Sequence, residues 1–262
     1  MSQPPPPGSA RLPPLPEGAL QRCLRMAEHA RTQSPRVAHL LRKIGALPTP
    51  AALRPAAPPT GCGLAAVPVA CEDVFGTAPV GAAYDHARRR VVLNPRAPPA
   101  FLTQAEVTRA VAHELVHAFD SCRAALDARD CAHVACTEVR AANLSGDCDF
   151  SVELARLAGR ALAPAALLGS VLGGPAAAGA ASGGSGGGGG AFTLAGHQQQ
   201  CVRRRAQLSL SLHEQCLSPG LGASGAGASS GARRAADDPA VVRAVAGVWD
   251  ACYRDTAPFA TN

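Results

Sequence analysis

The chain has 262 residues, a formal net charge of +6 and a pI near 9.0, long enough for one sizeable domain or two small ones. With 27 Gly, 23 Pro and only 3% aromatic residues, much of it cannot be core. The arginine triplets Arg88-Arg89-Arg90 and Arg203-Arg204-Arg205 are not interleaved with aromatic residues, so the charge reads as solvated surface and no nucleic acid is expected as a partner.

Residues 1–18 are Pro-rich and predict a disordered tail, with neither the apolar core of a secretory signal nor an Arg-rich amphipathic presequence. Helical periodicity follows from Leu20 to Ile44, then a Pro/Ala-rich connector over 46–60. Arg90–Leu93 predicts a strand, with a partner near Val80–Tyr84 and Asp85-His86 close to the turn between them. The clearest helix runs from Gln104 to Cys122. Thr103 is its N-cap, Glu106 completes a capping box, and Val107, Ala110, Val111, Leu115 and Ala118 recur at helical spacing.

A second helix is expected from Ala132 to Leu144, stopping at Ser145-Gly146, and a third from Asp149. Further helices are expected over His197–Leu212 and Pro239–Tyr253. The uncharged run between Arg160 and His197 is long enough to span a membrane, but Pro164, Pro175 and the run Gly186–Gly190 make it a linker. The expected architecture is α+β and mostly helical, with a small sheet. It is one domain over 19–262, carrying flexible Gly-rich insertions at about 164–196 and 218–235.

Ten cysteines are scattered along the chain without a C-x-x-C pair. That argues against a zinc knuckle or a thioredoxin-type site, and the even count favours a disulfide framework in an oxidising compartment.

The chemistry centres on His113-Glu114-Leu115-Val116-His117. Residues four apart lie on one helix face, so both imidazoles can reach the same ion. Glu114, about 100° further round, can touch a water on that ion without ligating it. This is the H-E-x-x-H pattern of zinc hydrolases, with His113 and His117 as Zn2+ ligands and Glu114 as the catalytic base.

A zinc hydrolase needs a third protein ligand and keeps a fourth position open. The H-x-x-G-x-x-H continuation is absent, since Asp120 and Arg123 stand at its Gly and His positions, and both methionines, Met1 and Met26, lie upstream. The metzincin layout is therefore excluded. Three candidates remain: Glu138 on the second helix, His133 on the same helix, and Asp120, which could instead orient an imidazole from behind.

The run from His113 to Asp120, then Cys122-Arg123, His133 to Cys136, and above all Glu138-Val139-Arg140-Ala141-Ala142-Asn143-Leu144-Ser145-Gly146-Asp147-Cys148, resembles the Atp23 family of mitochondrial metalloproteases, peptidase family M76. The resemblance extends through Cys71-Glu72-Asp73, Val91–Leu93, Cys201-Val202-Arg203 and Cys252 to Phe259. It implies a zincin-like metalloprotease domain in the mitochondrial intermembrane space, peripheral on the inner membrane. It also implies a protein substrate, an ATP synthase membrane-sector subunit, and a separable part in ATP synthase assembly. The family's metal histidines and catalytic glutamate fall on His113, His117 and Glu114. Val74 and Asn94 stand where relatives carry cysteines, so the family's disulfide map does not transfer, and Cys62 and Cys216 have no assigned partner.

In a zincin the edge strand before the helix pairs with an extended substrate, a role that falls here on Arg90–Leu93. Membrane attachment would use the basic N-terminal helix with Arg22, Arg25, Arg31, Arg36, Arg42 and Lys43. The competing readings are a non-proteolytic assembly chaperone and a nucleic-acid or repair-associated protein.

Overall fold

The computed structural model of the chain describes residues 14–47, 62, 67–74, 80–96, 103–155, 194–219 and 235–259. Most of the expected N-terminal tail, the connector and the Gly-rich insertions lie outside the described residues.

The expected N-terminal helix is two helices, α1 (Ala19–Gln33) and α2 (Pro35–Ala46). Pro35 has no N–H to donate to the preceding turn and disfavours helical backbone at the residue before it. Ser34 is accordingly extended, and its hydroxyl accepts from the Val37 N–H as the cap of α2. Three strands follow: β1 (Val69–Cys71), β2 (Ala82–Asp85) and β3 (Arg90–Leu93). Then come α3 (Gln104–Arg123), α4 (Cys131–Leu144), a helical stretch at residues 150–155, α5 (Leu194–Leu210), a 3₁₀ turn at Glu214–Cys216 and α6 (Pro239–Arg254). The protein is thus a mostly helical α+β structure with a small sheet.

Sheet order is β1-β3-β2, with β1 parallel and β2 antiparallel to β3. This corrects the expectation that β3 offers an edge. The Val91 N–H and Leu93 C=O bond on the β1 side, whereas the Asn94 N–H bonds the Gly81 carbonyl on the β2 side. Both flanks of β3 are paired, so among the described residues the outer strands are β1 and β2, and β2 is the one that lines the cavity. By the antiparallel alternation, the main-chain groups of Ala82 and Tyr84 point away from β3. The short β1 carries no alternation long enough to read from sequence.

Two apolar cores form. One joins α1, α2 and the sheet to the inner face of α3, through Val37, Leu40, Ile44, Val91, Val111 and Leu115. The other joins α4, α5 and α6, through Val139, Val202, Leu210, Val241, Val245 and Trp249. α3 and α4 meet at the seam. The capping box at Thr103 and Glu106 starts α3 as expected, a device whose loss costs ~1 kcal/mol. α4 stops where Gly146 turns to φ +91°, and a Cβ there would come within 1.8 Å of the Arg36 guanidinium.

All ten cysteines pair: Cys23–Cys71, Cys62–Cys122, Cys131–Cys216, Cys136–Cys252 and Cys148–Cys201. Cys62 and Cys216 thereby find partners that the resemblance could not supply. Three of the bridges tie α4 and its exit to the 3₁₀ turn, α6 and α5. This framework fits an oxidising compartment. Five of the six arginines of the two triplets are engaged as well. Arg88 pairs with Asp85, Arg90 with Glu72, Arg204 with Glu153 and Arg205 with Asp147, while Arg203 lies over the Trp249 ring.

Candidate metal centre

The seam between α3 and α4 brings His113, His117 and Glu138 together. Their ligand atoms lie within 4.8 Å of one another. His113 Nε2 is 3.4 Å from Glu138 Oε2, and His117 Nε2 is 3.6 Å from Glu138 Oε1. These separations are long for hydrogen bonds. Each imidazole faces a different Glu138 oxygen, at close to the ~3.4 Å that separates neighbouring ligands of a tetrahedral ion bound at ~2.0–2.2 Å. Glu138 Oε2 is buried with no hydrogen-bond partner, an arrangement that costs free energy unless a cation sits against it. The residues fit a small tetrahedral cation.

The other two candidates lie elsewhere. His133 is half-exposed. Its Nδ1 accepts the Asp127 main-chain N–H at 3.1 Å, and its Nε2 is 3.9 Å from Asp130. The Asp120 carboxylate is occupied by Arg140, by Arg123 and by the Thr137 hydroxyl at 3.1 Å. Thr137 in turn lies 2.8 Å from His117 Nδ1. A hydroxyl has one proton, so with that proton on Asp120 it can only accept from His117. The relay leaves the His117 N–H on Nδ1 and bares Nε2 toward Glu138. Behind His113, the Asp147 carboxylate lies 3.8 Å from Nδ1 and is held by Arg205 at 2.9 Å. Sequence reasoning gave neither Thr137 nor Asp147 a role. The only trace of the relay was the i, i+3 pairing of Thr137 with Arg140, both facing Asp120.

Electrostatics follow from burial. Burial alone would raise the Glu138 carboxyl, but His117 and His113 overcome it and hold it at about 2. Burial opposes charge on both imidazoles. His117, with other imidazoles beside it, falls to about 3, whereas Glu138, Glu114 and Asp147 carry His113 up to about 9. Glu114 is buried beside the cluster and accepts the outward Tyr84 main-chain N–H. Burial, only partly offset by His113, pushes it up to about 7, where a carboxyl exchanges protons readily at neutral pH. A cavity of about 490 Å³ opens over these groups, floored by the α3 and α4 side chains and walled by β2, residues 126–128 and His213. That volume accommodates several residues of an extended peptide.

The peptidase M76 family model matches residues 21–163, more than half of the chain. The chain belongs to the peptidase M76 family. It is 33% identical over 190 residues to the mitochondrial inner membrane protease ATP23 homolog of Danio rerio, covering 72% of this chain and 52% of that protein. It is 32% identical to the homologs of Homo sapiens and Xenopus laevis, covering 72% of this chain and 54% and 56% of theirs. The chain thus spans about half the length of the curated relatives it matches. No solved structure matches it. The M76 match contains α3 and α4, and therefore all three residues of the cluster.

Proposed function

We propose that this chain is a zinc-dependent endopeptidase of the mitochondrial inner membrane, in which His113, His117 and Glu138 hold the metal and Glu114 is the general base. The observation that carries the reading is the buried Glu138 carboxylate, without a hydrogen-bond partner on Oε2 and set at tetrahedral spacing from two imidazoles. The helix bearing His113 and His117 beside a small sheet supports a zincin-like arrangement.

Zinc bound there lowers the pKa of a water toward ~7 and polarises the scissile carbonyl. Glu114 takes the water's proton as the water oxygen attacks the carbonyl carbon and the carbonyl π pair moves onto its oxygen. When the tetrahedral intermediate collapses, the C–N bond breaks and Glu114 gives its proton to the departing amine. The Tyr84 main-chain N–H faces the Glu114 carboxylate, and the outer side of β2, which pairs with no other strand among the described residues, is offered to an extended substrate. Cleavage is expected to stop on chelation and to return with zinc. A chelated protein that still cleaves at the original rate contradicts the reading.

The relay behind His117 carries its own expectation. Thr137→Val removes the acceptor for the Nδ1 proton and is expected to weaken zinc binding ~10–100-fold, read by competition with a chelator of known affinity.

On the family resemblance, the substrate is an ATP synthase membrane-sector subunit, and the protein works on the intermembrane-space side, assisting ATP synthase assembly. Peripheral attachment suits the charge distribution. Among the described residues no helix is long and apolar enough to cross a membrane. Residues 19–46 hold six basic residues against the single acid Glu28, a net +5 of the chain's +6. Arg22, Arg25, Arg42 and Lys43 are exposed, and α1 also exposes Leu20 and Leu24. Neither α1 nor α2 lines the cavity, so docking through them leaves the cleft open. Replacing the four cations by Gln is expected to weaken binding to anionic vesicles by about 1 kcal/mol each. Equal flotation of wild type on neutral and anionic vesicles contradicts this attachment.

A further inference from the structure

Besides the two histidines of α3, the cavity is lined by His86 from the β2–β3 turn, His133 from the first turn of α4 and His213 from the turn after α5. Their hydrogen bonds decide what each ring can offer to a substrate. A neutral imidazole has one N–H, so the partner of one nitrogen fixes the role of the other. Ser121 Oγ donates its proton to the His117 carbonyl at 2.8 Å. At 3.2 Å from His86 Nδ1 it can therefore only accept from that ring, which leaves neutral His86 with a bare Nε2. His133 is the reverse case. Its Nδ1 accepts from Asp127, and its Nε2–H faces the Asp130 carboxylate.

His213 differs from both. Its Nε2 lies 4.0 Å from Glu138 Oε1, beside the ligand cluster, and its side chain is 39% exposed to the cavity mouth. Its ring nitrogens are hydrogen-bonded to no described residue. The backbone, in contrast, is anchored. The His213 N–H bonds the Leu210 carbonyl at 3.0 Å, and its carbonyl accepts the Cys216 N–H at 2.9 Å. The Cys131–Cys216 bridge ties the turn to the first residue of α4, and Gln215 donates to the Ala128 carbonyl at 2.9 Å. The turn is thus fastened to the helix that carries Glu138, with an imidazole presented at the metal centre.

Negative charge develops on the carbonyl oxygen during attack, and the carboxylates nearest it, Glu114 and Glu138, cannot stabilise it. Preorganised N–H donors do so in a desolvated site. We propose that His213 is a further catalytic residue, donating its Nε2–H to the oxyanion of the tetrahedral intermediate. This rests on the endopeptidase reading above.

The test compares zinc-loaded wild type, His213→Ala and His213→Gln on one fluorogenic peptide. A calorimetric titration with a phosphinic peptide, whose tetrahedral phosphorus bears an anionic oxygen, accompanies it. His213→Ala is expected to lower kcat ~10²-fold or more, with zinc stoichiometry unchanged and KM within about twofold. It is also expected to weaken the phosphinic peptide by a similar factor while leaving affinity for a product peptide unchanged. His213→Gln, which keeps an N–H donor, is expected to recover part of both losses. Unchanged kcat in His213→Ala overturns the proposal. So does raised kcat, which would mark the ring as blocking the open metal position, and so does lost zinc, which would make it a ligand. Failure of the endopeptidase reading looks different: zinc-loaded wild type then neither cleaves nor binds the phosphinic peptide, and the proposal falls with it.

Discussion

Glu114→Gln is expected to bind zinc as wild type does and to lose ~10²–10⁴-fold in kcat. Glu114 is not part of the close ligand group of His113, His117 and Glu138, so the amide leaves the ligand set intact. What it removes is the acceptor for the water's proton. Burial has already brought that acceptor to about 7, and an amide cannot take the proton at any accessible pH. The Tyr84 N–H can still donate to the amide oxygen, so the side chain stays in place and the loss is chemical rather than structural. KM is expected to change little, because Glu114 acts on the water and not on the peptide. Steady-state kinetics with parallel metal analysis read both effects. A variant that cleaves at the wild-type rate removes Glu114 from the mechanism.

Arg140→Met is expected to destabilise the fold by ~3–5 kcal/mol. Arg140 is 1% exposed, the most enclosed charge at the seam, and its guanidinium lies 3.0 Å from the Asp120 carboxylate. It also donates to the main-chain carbonyls of Asp255 and Ala257 and meets the Asp255 carboxylate at 2.7 Å. One side chain thus joins α3, α4 and the C-terminal segment. Burial pushes the Asp120 carboxyl up even with Arg140 beside it, and methionine would leave it with only Arg123 as a charge partner. Adding Asp120→Asn to Arg140→Met removes the orphaned charge, and the pair is expected to be less destabilised than the single variant. Denaturant unfolding under non-reducing conditions reads the difference. A single variant within about 1 kcal/mol of wild type means that the seam does not depend on this guanidinium.

Local signals in the sequence carried well where local physics decides. The capping box at Thr103 and Glu106, the strand Arg90–Leu93 and the stop at Gly146 were legible because each depends on neighbours in the chain. The Ser34-Pro35 break was equally local. The apolar period, which continues through it into Val37 and Leu40, masks it. The place of β3 in the sheet was not legible. Whether a strand is central or at an edge depends on β1, whose three residues carry no pattern of their own.

The candidate site divides in the same way. The i, i+4 spacing of His113 and His117 puts them on one face of any helix, and Glu114 follows from it. Glu138, His133 and Asp120 could not be separated by spacing, because the choice depends on how α4 folds back on α3. In the structure that packing brings Glu138 to the imidazoles, turns Asp120 toward Arg140, and leaves His133 beside Asp127 and Asp130. Thr137, Asp147 and His213 are set by contacts across the seam and by the Cys131–Cys216 bridge, which no single segment records.

The most direct test of the account is the zinc stoichiometry of purified, fully oxidised Glu138→Ala beside His133→Ala. About one zinc per chain is expected in wild type and in His133→Ala, and no retained zinc in Glu138→Ala after dialysis. Retention of zinc by Glu138→Ala, with loss from His133→Ala, would contradict the assignment of the metal centre to the seam between α3 and α4.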